Sequence, residues 1–404
     1  MVDRADFRNI VTDDVRMEPA VPNAQRMEQR RQHQRLQGAP PGFLSVRSVM
    51  GRARAAVMPP VPAAIEDVLI EDQWAETWAR DQFLLHQDND WGIAVFATEA
   101  VAFFSVFCAL CRSWPIGDVI VEANLLRLRS ADTVYMDATF KSCPRPYSQI
   151  FTVLGDVHGF VVPVVHMLMS QRTIGHYREA LRCIKDTTRR ASGHTWRPQK
   201  VVCDFEQALV AAVETELPRA RVCGCFFHFT QALWRRVQSL GLAPAFRDDR
   251  RLKEVIRKVM ALGHLPLPVV GNNFELLAQH RRTRRAQRDH PELQDFLQYV
   301  GNTYVHRGAA FPPAMWNVFR RNMEQRTNNH VHHPSLWTFL RHLKDQQQLT
   351  EEKVEQADLG DAPPTRRRKW RELKARLQRL KGQYTTGRRN LSSYWWAVSR
   401  TNFF

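Results

Sequence analysis

The runs "TVYMDATF" (133–140), "SQIFTVLGD" (148–156) and "FVVPVVHMLM" (160–169) decide the fold class. Each is short, nearly continuous in apolar residues and bounded by turn formers, as strands buried in a sheet are. Pro163 has no N–H to donate to a ladder, so the third strand is expected at the sheet edge. Downstream, "HYREALRCIKDTTRR" (176–190) sets Tyr177, Ala180, Leu181 and Ile184 on one helical face. "KVVCD" (200–204) returns to strand, and Leu209, Val213 and Leu217 then repeat at fourfold spacing in a second helix. A further strand, "RVCGCFF" (221–227), leads into the helix "HFTQALWRRVQSL" (228–240). Three strands, helix, strand, helix, strand, helix is the order of an α/β protein, a mixed sheet with helices on both faces.

The flanks read differently. Residues 1–65 carry Gln, Arg, Pro and Gly in place of an apolar period and are expected to form a flexible basic arm. Residues 66–130 read as a helical or mixed N-terminal segment, and 131–245 as the α/β core. Within the first of these, "IAVFATEAVAFFSVFCALC" (93–111) is almost long enough to cross a bilayer, but Glu99 interrupts it and the flanks show no topology signal. A buried core helix is the expectation, and no membrane is expected as a partner. From about Asp248 only helical periods occur, with Leu252, Val255, Ile256 and Val259 on one stripe and Leu293, Phe296, Leu297, Val300 and Tyr304 on another. Residues 246–345 are therefore a helical domain. Inside it "HRRTRRAQR" (280–288) either grips phosphates or is a solvated face. An acidic, then Pro-rich stretch marks a linker over 346–365. Residues 366–404 form a basic C-terminal helix and tail, in which Trp370, Leu373, Leu377 and Leu380 repeat in a heptad-like register, a seam for self-association through 366–381. The cluster Arg366-Arg367-Arg368-Lys369 suits nuclear import, phosphate contact or helix solvation equally.

A net charge of +17 and pI near 10.1 imply a polyanionic partner, DNA or RNA. Seven cysteines, an odd number, with no signal-peptide pattern after Met1, argue against a secreted disulfide framework and for a reducing compartment.

Two carboxylates carry the chemistry. Asp137 lies in the first strand and Asp204 ends the fourth, so neighbouring strands would project both from one end of the sheet. Mg²⁺ or Mn²⁺ takes such oxygens, and two ions roughly 4 Å apart can drive phosphodiester displacement. Asp204 also precedes a helix and could simply cap it. Cys225 and His228 are competent zinc ligands, with Cys223 nearby and Cys108 and Cys111 forming a distant pair. Two ligands do not make a site, and a structural role is the preferred reading, with the thiol packed and the imidazole hydrogen-bonded.

Five motifs in order, "DTVYMDATFKSCPRPYSQIFTVLG", "VVCDFEQAL", "CGCFFHFTQALWRRV", "FPPAMWNVF" and "RTNNHV", make the chain resemble the transposases of Mutator-like elements (MULE) over roughly residues 80–400. The resemblance implies a ribonuclease H-like core, a DDE triad of acids, and a helical insertion before the third acid. It implies action on DNA in the nucleus. Asp137 matches the first acid, Asp204 the second, and Cys225 with His228 the family's Cys-x-x-His motif. Many relatives carry an amino-terminal zinc module. Residues 1–65 contain no cysteine, so none is expected there.

The third acid is the departure. Relatives place a glutamate shortly after the paired asparagines. Here the chain reads Asn328-Asn329-His330-Val331-His332-His333-Pro334, with His332 in the glutamate's place. A deletion joining "RTNNHV" to "HHPSLW" explains both sides of the junction, whereas a metal site at His330 and His332 explains only the histidines. Imidazole is a poor Mg²⁺ ligand. Glu324 lies about two helical turns before His332, and Glu206 at the start of its helix should point elsewhere. The expectation is an intact core with weak or lost strand transfer, or a DNA-binding regulatory protein retained on the same scaffold.

Overall fold

The computed structural model describes residues 58–98, 124–157, 160–321, 334–359 and 368–401. Seven strands form one mixed sheet: β1 (Leu84–Asp88), β2 (Ile93–Phe96), β3 (Thr133–Thr139), β4 (Gln149–Val157), β5 (Phe160–Met169), β6 (Lys200–Cys203) and β7 (Arg221–Gly224). Their spatial order is β1-β2-β5-β4-β3-β6-β7. The β1/β2, β2/β5, β5/β4 and β4/β3 pairs are antiparallel, while β6 runs parallel to both β3 and β7. Parallel neighbours need crossovers. Helix α2 (Ile174–Ser192) precedes β6, α3 (Gln207–Glu216) carries the chain from β6 to β7, and α4 (Phe226–Ser239) follows β7; α1 (Asn124–Ser130) comes before β3. The three strands and alternating helices expected from 133 to 240 are all present.

The sheet is buried on both faces. In β2, Ile93 and Val95 belong to one hydrophobic cluster and Ala94 and Phe96 to the other; in β4, Phe151 and Val153 face Ile150 across the sheet in the same way. This corrects the reading of 93–111, whose first four residues are a strand rather than a helix. A strand covered on both sides is apolar at every position, so its sequence shows no alternation. Residues 99–123, with Cys108 and Cys111, lie outside the described residues. No described helix is long and apolar enough to cross a membrane.

Pro163 is also corrected. Its strand β5 lies inside the sheet, between β2 and β4. Two features admit the proline. The β2 partner register runs only from Met169 to His166, and on the other side the β4 register slips between Val153 and Leu154, which faces Pro163. A bulge is where an interior strand tolerates a missing donor.

A helical layer follows: α5 (Ala243–Asp248), α6 (Arg250–Ala261), α7 (Val270–Gln279), α8 (Arg281–Asp289), α9 (Glu292–Val300) and the short α10 (Pro313–Trp316). Leu252, Val255, Ile256 and Val259, with Leu293, Phe296, Val300 and Tyr304, merge with the sheet's own core into one cluster. Helix α11 (Leu336–Asp358) returns to the opposite face, where Leu336, Trp337, Leu340 and Leu343 meet Phe96, Ile150 and Leu168. It runs through Asp358, so the first part of the expected 346–365 linker is helix. It also holds the N-terminal segment: Trp337 Nε1 donates to Pro60 O at 3.0 Å and Lys344 Nζ to Gln73 O at 2.7 Å. Met58 and Ile65, from the end of the expected arm, pack there too. Finally α12 (Arg368–Thr385) and α13 (Leu391–Ser399) pack on the helical layer, with Leu377 and Leu380 in its core. The described part of the heptad-like seam is thus occupied by its own chain.

Candidate active site

The parallel register sets the two aspartates. Thr133 faces Lys200, Val134 faces Val201 and Tyr135 faces Val202. Asp137 and Asp204 stand at the same 67-residue offset (204 − 137), so they sit at one level on adjacent strands. They also share a face, because Val134 and Met136 alternate with Asp137 into the main core, as Val201 and Cys203 alternate with Asp204. Polar positions continue across that level: Asp137 faces Thr152, and Thr152 faces His166 with Oγ1 3.4 Å from Nδ1.

Electrostatically the pair is under tension. Burial pushes the Asp204 carboxyl up to about 7, and the charges of Glu206 and Asp137 push the same way, against a hydrogen bond from the Glu206 backbone N–H. Its Oδ1 is buried without a hydrogen-bond partner. Such an oxygen lacks a donor or a cation. On the other aspartate, His228 Nε2 lies 3.6 Å from Asp137 Oδ1, an ion pair when the imidazole is protonated.

The sheet end is held from both layers. Glu206, expected to point elsewhere, has its Oε2 2.9 Å from the Tyr177 hydroxyl, which also lies 2.9 Å from Gln149 Oε1. A hydroxyl has one proton, so it donates to one of these acceptors at a time. Burial and the Glu206 charge push the phenol well above its ordinary range, keeping it a donor. Between the two acids, Phe205 reaches into the helical layer. Its ring lies edge-on to Tyr304 and Phe311, at 5.6 and 5.1 Å between centroids. Gly224 makes room for it, since a Cβ there would overlap the Phe205 ring. Phe229 stacks on Trp316 at 4.4 Å in the same cluster, and Trp316 Nε1 donates to the carbonyls of Tyr304 and Phe311.

The structure therefore brings together Asp137, Asp204, Glu206 and His228 around one sheet end. Cys225 stands at the N-cap of α4, and Cys203 and Cys223 are buried in β6 and β7. The five described cysteines are free thiols. Arg321 Nη2 donates to Gly224 O at 2.6 Å, so the chain enters the stretch containing Glu324, Asn328, Asn329, His330 and His332 beside β7; those residues lie outside the described ones. Sequence reading missed Tyr177, Gln149 and Phe205 as parts of this assembly. An aromatic set between two acids at a strand end was the available signal for Phe205; nothing in the sequence marked the other two.

The residues fit a divalent cation only in part. An orphaned carboxylate oxygen and a carboxyl raised by its acidic neighbours favour one. Among the described residues, however, no group of three His, Cys, Asp or Glu side chains is arranged to hold a metal ion.

Fold and site define a mixed α/β domain that presents paired aspartates at the end of a central parallel strand pair. Residues 133–232, from β3 into α4, match the model of the MULE transposase domain. The match takes in Asp137, Asp204, Cys225 and His228. No curated protein matches the chain.

Proposed function

We propose that the chain acts on DNA as a MULE-type transposase or its descendant, with a ribonuclease H-like core that cleaves and joins strands by metal-dependent phosphoryl transfer. The observation that carries this reading is the shared level of Asp137 and Asp204 on neighbouring parallel strands, within the stretch that matches the family. The sheet order supports the core assignment, with three antiparallel strands, β5-β4-β3, continued by two parallel ones reached through helices. Asp137 and Asp204 would be the carboxylates that hold Mg²⁺ or Mn²⁺. When bound, the metal supplies Lewis-acid stabilisation of charge developing on the phosphate and lowers the pKa of the attacking water or 3′-hydroxyl. The chain's own part is positional. Phe205 fixes the backbone beside Asp204, Tyr177 holds Glu206 back from the metal edge, and His228 orients Asp137. Cys225 stays a packed thiol. The nucleus is the site of action such a substrate implies, which imaging of a tagged chain tests.

Strand transfer is slow in this reading, because His332 replaces the third carboxylate, and loss of such a ligand removes several kcal/mol of transition-state stabilisation. Purified full chain is incubated with Mg²⁺ or Mn²⁺ and a nicked or terminal-repeat duplex. Residual cleavage vanishes in Asp137→Asn and Asp204→Asn, and His332→Glu raises it at least tenfold. Cleavage indifferent to Asp137→Asn removes the proposal.

A further inference from the structure

We infer that the outer face of α8 is a docking surface for the phosphate backbone of duplex DNA. The inference rests on the transposase reading and goes beyond it by naming where the helical layer takes hold of the substrate. Helix α8 buries Thr283 and Ala286 and exposes five arginines. The exposed set is not uniform. Arg282 pairs with Glu254 at 3.4 Å, and the helix's own Asp289 is taken by Arg251 at 2.9 Å. His290 and Arg251 engage Asp249. Glu254, Asp249 and Asp289 are thereby engaged along the helix's border with α6. Arg281, Arg284, Arg285 and Arg288 make no ion pair among the described residues.

These four fall at i, i+3, i+4 and i+7, one stripe about 10 Å long. A solvated helix face would intersperse acids at those spacings, since like charges three and four apart repel. Here each arginine has like-charged neighbours at that spacing. The first turn (281–284) also holds three arginines and no acid, against the helix dipole. The charge is therefore placed where neither the helix nor its neighbours favour it, and a polyanion relieves it. Guanidinium forks match phosphate oxygens, and a row spaced by helical turns suits successive phosphates of a strand without reading sequence.

Fluorescence anisotropy of a labelled mixed-sequence duplex with the full chain, across a salt series, tests this. The four positions are changed together to Gln, and separately together to Lys. Wild type loses affinity steeply with salt, and the Gln variant shows a slope of log K against log salt shallower by about three to four. Over a fourfold rise in salt that difference is about a hundredfold in relative affinity. The Lys variant keeps the wild-type slope, since the charges remain. Should the Gln variant not fold, Arg284→Gln with Arg288→Gln carries the test at half the slope change. An unchanged slope in a Gln variant that binds as wild type overturns the inference alone. Absence of any wild-type binding overturns the transposase reading and the inference with it.

Discussion

Gly224 shows how a single position serves the acids. The Phe205 ring occupies the space its Cβ would take, so Gly224→Ala forces the ring aside, at a cost of about 1–3 kcal/mol. Thermal denaturation reads the loss, and under the proposed function residual cleavage falls as well, because the ring beside Asp204 is displaced. His166 makes a second prediction. It is fully buried and neutral, with burial holding its pKa down from 6.5 to about 4. Above about pH 6.5 neither folded nor unfolded chain is protonated there, so its contribution to stability is complete. As pH falls from there to about 4 the unfolded chain takes the proton first, and stability drops by up to about 3 kcal/mol. His264, held down to about 3 by burial and then by Lys381, adds a fall of the same sign. His166→Asn flattens part of that profile in denaturant titrations across pH. An unaltered profile would mean that His166 is not shielded from solvent. Neither histidine was marked in the sequence, because burial of a polar side chain depends on partners far along the chain.

Between elements, α2 and α3 are tied by one carboxylate. Glu216 Oε1 accepts from Arg178 Nε at 2.9 Å and Arg182 Nε at 3.0 Å, while Lys185 Nζ lies 3.3 Å from Oε2. Burial alone would raise its pKa, but hydrogen bonds from Arg178 and Lys185 outweigh it and hold it below the usual range. Glu216→Gln strands three cations against a buried amide. With the partners partly exposed, the loss is about 2 kcal/mol, read as a lower denaturant midpoint at neutral pH that converges on wild type in acid. The element order from β3 to α4 was legible because its helices carry apolar stripes at helical spacing and its strands are bounded by turn formers. What escaped were elements whose pattern is set by both neighbours at once. Strand β2 is apolar throughout because it is covered on two faces, β5 keeps a proline because β2 ends beside it, and over residues 350–356 of α11 only Thr350 and Val354 are buried, too few for a period.

For the whole molecule, the sheet, the helical layer and the C-terminal pair share one continuous core. Tyr394 donates to His264 O and Trp395 to Lys258 O, both at 2.9 Å, and Leu377, Leu380 and Val398 fill the space beneath. A chain ending after Leu359 exposes that surface. It should melt cooperatively at a temperature at least 10 °C lower, rather than lose a detachable tail, as scanning calorimetry would show. A melting point within a few degrees of the full chain would mean that α12 and α13 are accessory. The site was legible at the same coarse grain: the two aspartates and their common edge follow from strand order, but their supports come from layers that sequence pattern cannot join.

The Phe205 plug has a consequence for how such a chain can change. It fastens the stretch between two acids to rings contributed a hundred residues later, so the helical layer works as a remote keel for the sheet end that carries Asp204. Lengthening or shortening loops within that layer is harmless only while Tyr304 and Phe311 still land on the plug. Lineages in which they drift should lose chemistry before they lose shape.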